Sequence, residues 1–259
     1  MAIPVALIQG ASRGIGLQFC KTLLTGPKNN VVIATCRNPS SAQNLQILKD
    51  EHPKSLHIFP IDVTNESQIQ QTASDISLQF KNLDLLINCA AILHPSGKGE
   101  TSLRDVSSQG VLETLSINTV GPLLMAKYFS PLLLKGCGGF GKATENQQHK
   151  AVLVNMSAKV GSITDNGLGG WYSYRMAKAA LNMATKNLSI ELGRGKNKVI
   201  CVSLHPGTVD TDLSKPYHKN VPKLFTPEYS VDCLLKVIES LEIDDSGKFF
   251  TYDRTQMQY

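Results

Sequence analysis

Gly10, Gly14 and Gly16 punctuate the stretch MAIPVALIQGASRGIGLQF, where a run of apolar residues breaks off and then resumes. Val5 to Ile8 suit a buried strand, and Ile15, Phe19, Leu23 and Leu24 recur at helical spacing. The glycines, with Ser12 and Arg13 between them, therefore fall at a strand-to-helix turn. Such a turn leaves the first backbone N–H groups of the helix unpaired beside its positive dipole end, and glycine keeps side chains out of the way of an incoming phosphate. Two readings stand at this point: a phosphate cradle, or a tight turn that needs glycine for its backbone alone. A second spacing with chemical content is Tyr174 and Lys178, four residues apart, which on a helix sets a phenol and an ammonium one turn apart on the same face. By itself that spacing also describes an ordinary exposed helix face.

The elements that must position these groups alternate along the chain. Strand-like runs occur at VALI, NVVIAT, LHIFPIDV, LDLLINCAA, KAVLVNMSA, VICVSLHP and KFFTYD, seven in all. Helical periodicity fills residues 15–25, 40–51, 66–80, 107–135, 171–193 and 227–241, the last opening with Thr226 as cap and Pro227 in the first turn. Strands that are hydrophobic along their whole length, alternating with helices, predict an α/β chain: a single Rossmann-type domain over residues 1–259, with a doubly wound parallel sheet of about seven strands and helices on both faces. Two stretches stand apart. GCGGFGKATENQQHK, residues 136–150, reads as a mobile surface insertion, and DLSKPYHKNVPKLF, within 212–226, reads as a substrate lid, because ligands of doubly wound sheets sit beyond the carboxyl ends of the strands.

Composition narrows the partners. The 259 residues carry a formal net charge of +5, from 26 basic and 21 acidic side chains, without a polybasic run or a basic amphipathic helix. This argues against nucleic acid or an anionic membrane and leaves a small anionic ligand open. There is no basic n-region, and apolar stretches such as LDLLINCAAIL are too short to span a bilayer, so a soluble cytoplasmic protein is expected. Six cysteines at 20, 36, 89, 137, 201 and 233 form no C-x-x-C pair, which points to reduced thiols rather than disulfides, and no metal constellation is expected.

Set behind the first strand of such a sheet, GASRGIG becomes a dinucleotide cradle. Its G-x-x-x-G-x-G spacing resembles the short-chain dehydrogenase/reductase family, whose further motifs follow in order: Asp62 after the third strand, NCAA at 88–91, Asn118 in the long helix, YRMAK at 174–178 and PGTVDT at 206–211. The resemblance spans nearly the whole chain, and the wording NMSAKVGSI, YSYRMAKAALN and CVSLHPGTVDTDL is similar to the Sniffer and C-factor-like carbonyl reductase branch. It implies that Tyr174 protonates a carbonyl oxygen while a nicotinamide delivers hydride to the carbon. Lys178 then lowers the tyrosine's pKa, ordinarily about 10, and holds the nicotinamide ribose. Asn118 would hold a water linking Lys178 to bulk solvent. Asp62 with Val63 would reach the adenine, and Asn88 with Ala90 would support the strands along the cofactor. Thr211, with Pro206, Gly207 and Val209, would contact the cofactor beside the nicotinamide.

Cofactor choice follows from charge. An NAD site needs a carboxylate at the end of the second strand, whereas this chain reads Thr35, Cys36, Arg37 there. Arg37, with Arg13 as a second cation, suits the 2′-phosphate of NADPH/NADP+. Two departures from the family pattern matter. NCAA places Cys89 where a second Asn would stand and Ala91 in place of Gly; NMSAKVG places Ala158 where a serine polarises the carbonyl. Ser157 is displaced by one residue and, by strand alternation, faces the other way unless the strand turns; Ser162 is a further candidate. The expected protein is an NADPH-dependent reductase of a ketone, aldehyde or quinone, with Leu93, Leu168, Trp171 and Tyr217 around an apolar pocket; the resemblance also implies a homodimer paired through its long helices. The alternatives are an NADPH-binding regulatory protein with little turnover and an NAD-dependent hydroxysteroid or alcohol dehydrogenase.

Overall fold

The computed structural model describes residues 3–143 and 148–259. Among them, eight strands form one sheet in the order β3-β2-β1-β4-β5-β6-β7-β8. These are β1 (Val5–Gln9), β2 (Val31–Cys36), β3 (Leu56–Pro60), β4 (Leu85–Asn88), β5 (Ala151–Met156), β6 (Val199–His205), β7 (Phe249–Thr251) and β8 (Gln256–Met257). All neighbours run parallel except β7 and β8. The seven expected strands are present. The eighth, two residues long, is too short to leave a periodic signal.

Seven α-helices flank the sheet among the described residues: α1 (Gly14–Thr25), α2 (Gln43–Glu51), α3 (Glu66–Gln79), α4 (Ser108–Leu115), α5 (Gly121–Leu133), α6 (Tyr172–Leu192) and α7 (Pro227–Glu239). The sheet has two apolar faces because its parallel strands are buried on both sides. Along β5, Val152, Val154 and Met156 pack with α1, α2 and α7 residues such as Phe19, Leu45 and Leu234, while Ala151 and Leu153 pack with Ile76, Phe129 and Leu188 of α3, α5 and α6. The strand order reverses between β1 and β4, which opens a cleft above the carboxyl ends of these strands.

Two expectations change. The helix predicted over 107–135 divides into α4, a five-residue π-helical stretch Ser116–Val120, and α5. The described part of the 136–150 insertion is tied down rather than loose. Phe140 is 1% exposed in the core, the Cys137 N–H donates to the buried Asp84 carboxylate at 2.6 Å, and the Lys142 N–H donates to Leu241 O at 2.7 Å. One aromatic anchor inside a polar, glycine-rich stretch outweighs its composition. Residues 144–147 of that insertion lie outside the described residues.

Candidate active site

The glycine turn is shaped by close approach. Gly10 has φ +84°, and a Cβ there would stand 2.6 Å from the Ala90 backbone nitrogen; a Cβ on Gly16 would stand 2.2 Å from the Gly10 carbonyl oxygen. The turn can pack against β4 and start α1 only without side chains at these points. The N–H groups of Gly10 and Ala11 donate to Thr35 O at 2.9 and 3.0 Å, and Gln9 Oε1 accepts from the Ala90 N–H at 3.0 Å. At Arg13, the N-cap of α1, no side chain caps the helix. The open helix end faces a groove of about 1110 Å³ lined by Gly10, by Ser12 to Gly16, and by Arg37, Asp62, Val63, Ala90 and Thr211.

Charge along this groove is partly committed. Arg37 is exposed. Burial raises the Asp62 pKa, but bonds from the Thr64 N–H and hydroxyl, together with the Arg37 charge, outweigh it and hold the carboxyl below its usual range. Arg13 is not free as expected: its Nη1 meets Asp212 Oδ2 at 3.0 Å, so an ion pair joins the glycine turn to the 212–226 loop across the groove mouth. Both partners are well exposed, and the pair is of the kind that contributes little to stability.

The catalytic candidates stand behind this lining on buried surfaces. Tyr174 is 7% exposed, Lys178 2% and Asn118 0%. Lys178 Nζ donates to Met156 O at 2.8 Å and lies 5.6 Å from the Tyr174 ring centre. Burial pushes the Tyr174 phenol up and, despite an opposing effect of Cys89, brings Lys178 down to about 8. The direction is opposite to the expected lowering of the tyrosine's pKa: burial favours the neutral phenol, the form a proton donor must have. Asn118 lies in the π-helical stretch. Its Oδ1 accepts from the Ile92 N–H at 2.9 Å and its Nδ2 donates to Ile92 O at 2.7 Å, which pins the chain after β4.

The serines separate clearly. Ser157 extends the β5 ladder, its N–H donating to Leu204 O at 2.8 Å, yet its hydroxyl is enclosed without a hydrogen-bond partner among the described residues. Ala158 is extended, at φ −148° and ψ 151°, and partly exposed. Ser162 Oγ donates to Gln258 O at 2.7 Å and accepts from the Asp165 N–H at 3.1 Å, so this candidate is committed to holding its own loop. Gly207 packs against Phe225, and Pro206 O accepts from the Ser230 hydroxyl at 2.8 Å. Val209 O accepts from the Ser214 hydroxyl, and Thr211 lines the groove.

The sequence profile of the short chain dehydrogenase family matches residues 4–222. The chain belongs to that family. Solved structures agree with the assignment. The carbonyl reductase Sniffer of D. melanogaster is 35% identical, with a TM-score of 0.87 and complete coverage of both chains. The NADPH-bound carbonyl reductase from chicken fatty liver is 34% identical, with a TM-score of 0.85, covering 100% of this chain and 99% of that one. The 1-hydroxy-2-glutathionyl-2-methyl-3-butene dehydrogenase of Rhodococcus sp. (strain AD45) is 30% identical over 98% of each protein. Among the described residues no helix is long and apolar enough to cross a membrane, and no three His, Cys, Asp or Glu side chains are grouped to hold a metal ion.

This short-chain dehydrogenase joins Asn88 to Asn155, Thr185 and Ser203, to which sequence reasoning gave no role. Asn88 Nδ2 donates to Asn155 Oδ1 at 2.9 Å, Asn155 Nδ2 donates to Thr185 Oγ1 at 2.9 Å, and Ser203 Oγ donates to Thr185 Oγ1 at 3.0 Å. This polar ladder crosses β4, β5, α6 and β6 beneath the site. Asn155 opens the NMSA motif, and its register opposite Asn88 was the available signal. Glu100 left no such signal: it is a solitary acid in a loop.

Proposed function

We propose that this oxidoreductase reduces a ketone, aldehyde or quinone with NADPH, with Tyr174 as proton donor. The observation that carries this reading is the enclosed, neutral Tyr174 with the Lys178 ammonium 5.6 Å from its ring, behind a groove that starts at an uncapped helix end. The groove suits a dinucleotide: Gly10 and Gly16 leave no room for a Cβ where a pyrophosphate would approach α1, and Arg37 stands where NAD enzymes carry an acid. The NADPH-bound relative from chicken supports the phosphorylated cofactor. Bound there, the nicotinamide would supply the hydride. The chain's own contribution is to place the Tyr174 hydroxyl so that its proton passes to the carbonyl oxygen as the alcohol forms, leaving a phenolate that Lys178 stabilises. Asn118, fixed by Ile92, would hold the water that links Lys178 to bulk solvent for reprotonation.

Ala158 gives one specific reason to weigh a second reading, an NADPH-binding protein with little turnover, because the carbonyl-polarising hydroxyl is missing and Ser157 is enclosed. NADPH consumption against a panel of ketones, aldehydes and quinones separates the two: turnover on any of them supports the reductase, and tight NADPH binding without turnover supports the alternative. A homodimer belongs to the same reading, since Met176, Met183 and Ile190 recur every seven residues along α6 and remain exposed. Sedimentation of the intact chain tests it.

A further inference from the structure

Glu100 is a carboxylate in the wrong place for a surface acid. Its side chain is 1% exposed, and among the described residues the one basic side chain within 4.0 Å is His94, whose Nε2 lies 3.9 Å from Oε1. A buried carboxylate is costly unless hydrogen bonds and fixed dipoles compensate it. The compensation here comes from the first turn of α6. Glu100 Oε1 and Oε2 accept from the Ser173 N–H at 3.1 and 3.4 Å, and Oε1 also accepts from the Ser173 hydroxyl. The Glu100 main-chain oxygen accepts from the Trp171 N–H at 2.6 Å.

The helix needs this help because its own N-cap is unfit. Trp171 offers no side-chain cap and sits in the left-handed region at φ 49° and ψ 44°, where a bulky residue is strained. A cap ordinarily comes from the residue that begins the helix. Here it comes from 73 residues earlier in the chain. The same loop carries the indole: a Cβ on Gly99 would stand 2.6 Å from Trp171 Cδ1, and the Gly99 N–H donates to the Tyr217 hydroxyl at 3.0 Å. Tyr217 packs against Trp171 with 4.6 Å between ring centres and the ring planes tilted by 56°.

We propose that Glu100 is the positioning residue of the catalytic helix: by capping α6 at Ser173, its enclosed carboxylate sets where Tyr174 stands relative to the groove. The proposal rests on the reductase reading above. It places the control of Tyr174 in the loop after β4, whose residues 89–94 also line the groove.

Trp171 is the chain's single tryptophan, so its fluorescence reports the geometry of this turn without reference to activity. Glu100→Ala should lower kcat about tenfold or more while KM and the NADPH Kd stay within about twofold, and should shift Trp171 emission to the red. Glu100→Gln keeps an oxygen that can accept from the Ser173 N–H and should restore kcat to within about threefold of wild type, with the original emission. Wild-type kcat and emission in Glu100→Ala would overturn the proposal, as would a loss that tracks thermal stability and is no milder in Glu100→Gln. If Glu100→Ala does not fold, Ser173→Ala removes only the hydroxyl partner; it should lower kcat about threefold with the same emission shift, and no change in either overturns the proposal. Tyr174→Phe serves as the control. Turnover that survives it sinks the functional reading, whereas loss there with intact Glu100 variants sinks the positioning role alone.

Discussion

The two walls of the cleft are built on different principles. The cofactor wall, from Gly10 to Gly16 with Arg37 and Asp62, works by leaving side chains out and by placing exposed charge at its rim. The catalytic wall, with Tyr174, Lys178, Asn118 and Ser157, works by burying polar side chains, two of them held by partners distant in sequence: Lys178 by Met156, Asn118 by Ile92. An absent side chain acts through local backbone, so its meaning is local. A buried polar side chain takes its meaning from whatever the fold brings against it.

The largest test falls on the catalytic wall. Tyr174→Phe should cut turnover on an accepted carbonyl by about a thousandfold or more while NADPH binding, followed by fluorescence titration, is retained, because only the transferable proton is lost. Next is Ala158→Ser, at the partly exposed position. A hydroxyl aimed at a developing oxyanion contributes about 2.7–4 kcal/mol in comparable sites, so kcat/KM should rise by about a hundredfold or more. Ser157→Ala should change it little; a hundredfold loss there with no gain at Ala158→Ser would place Ser157 in the catalytic seat after all.

The cofactor wall should respond more modestly. NADPH should bind about tenfold more tightly than NADH, a difference of about 1.4 kcal/mol, and Arg37→Ala should erase that ratio. An unchanged ratio means that the 2′-phosphate is held elsewhere. The smallest effect is on stability. Lys178 has its pKa lowered to about 8 by burial, so between that value and the ordinary 10.5 the unfolded chain binds one more proton than the folded one. The Lys178 contribution to stability should therefore rise with pH above about 8, by about 1 kcal/mol between pH 7 and 9, against the opposing contribution of the buried Cys20, Cys89 and Cys201 thiols, whose pKa values burial raises. Denaturant melts of the cofactor-free protein and of Lys178→Met, compared at each pH, should differ by this rise; parallel pH profiles would sink it.

The same contrast explains what could be read before folding. Seven strands and the helices between them follow from alternation, and the glycine turn with Tyr174 and Lys178 follows from spacing. Phe140 was hidden because one anchor does not alter the composition of a polar segment. The claim of Asp212 on Arg13 spans 199 residues, and the reversal of the Tyr174 pKa depends on how completely the helix is covered; neither has a local pattern. Glu100 was hidden for the same reason, since a cap supplied by another loop leaves the helix start looking merely poor.

The polar ladder of Asn88, Asn155, Thr185 and Ser203 bears on how this protein can change over time. Each member satisfies another, so replacing any one by an apolar residue strands a buried donor or acceptor at a penalty of about 1–3 kcal/mol. Substitutions that are harmful singly can be tolerable together, because the fold requires bonded partners rather than four particular residues. A library that randomises one position at a time would score all four as indispensable. A library that varies them jointly would find neighbouring solutions, and the ladder would behave as one heritable unit.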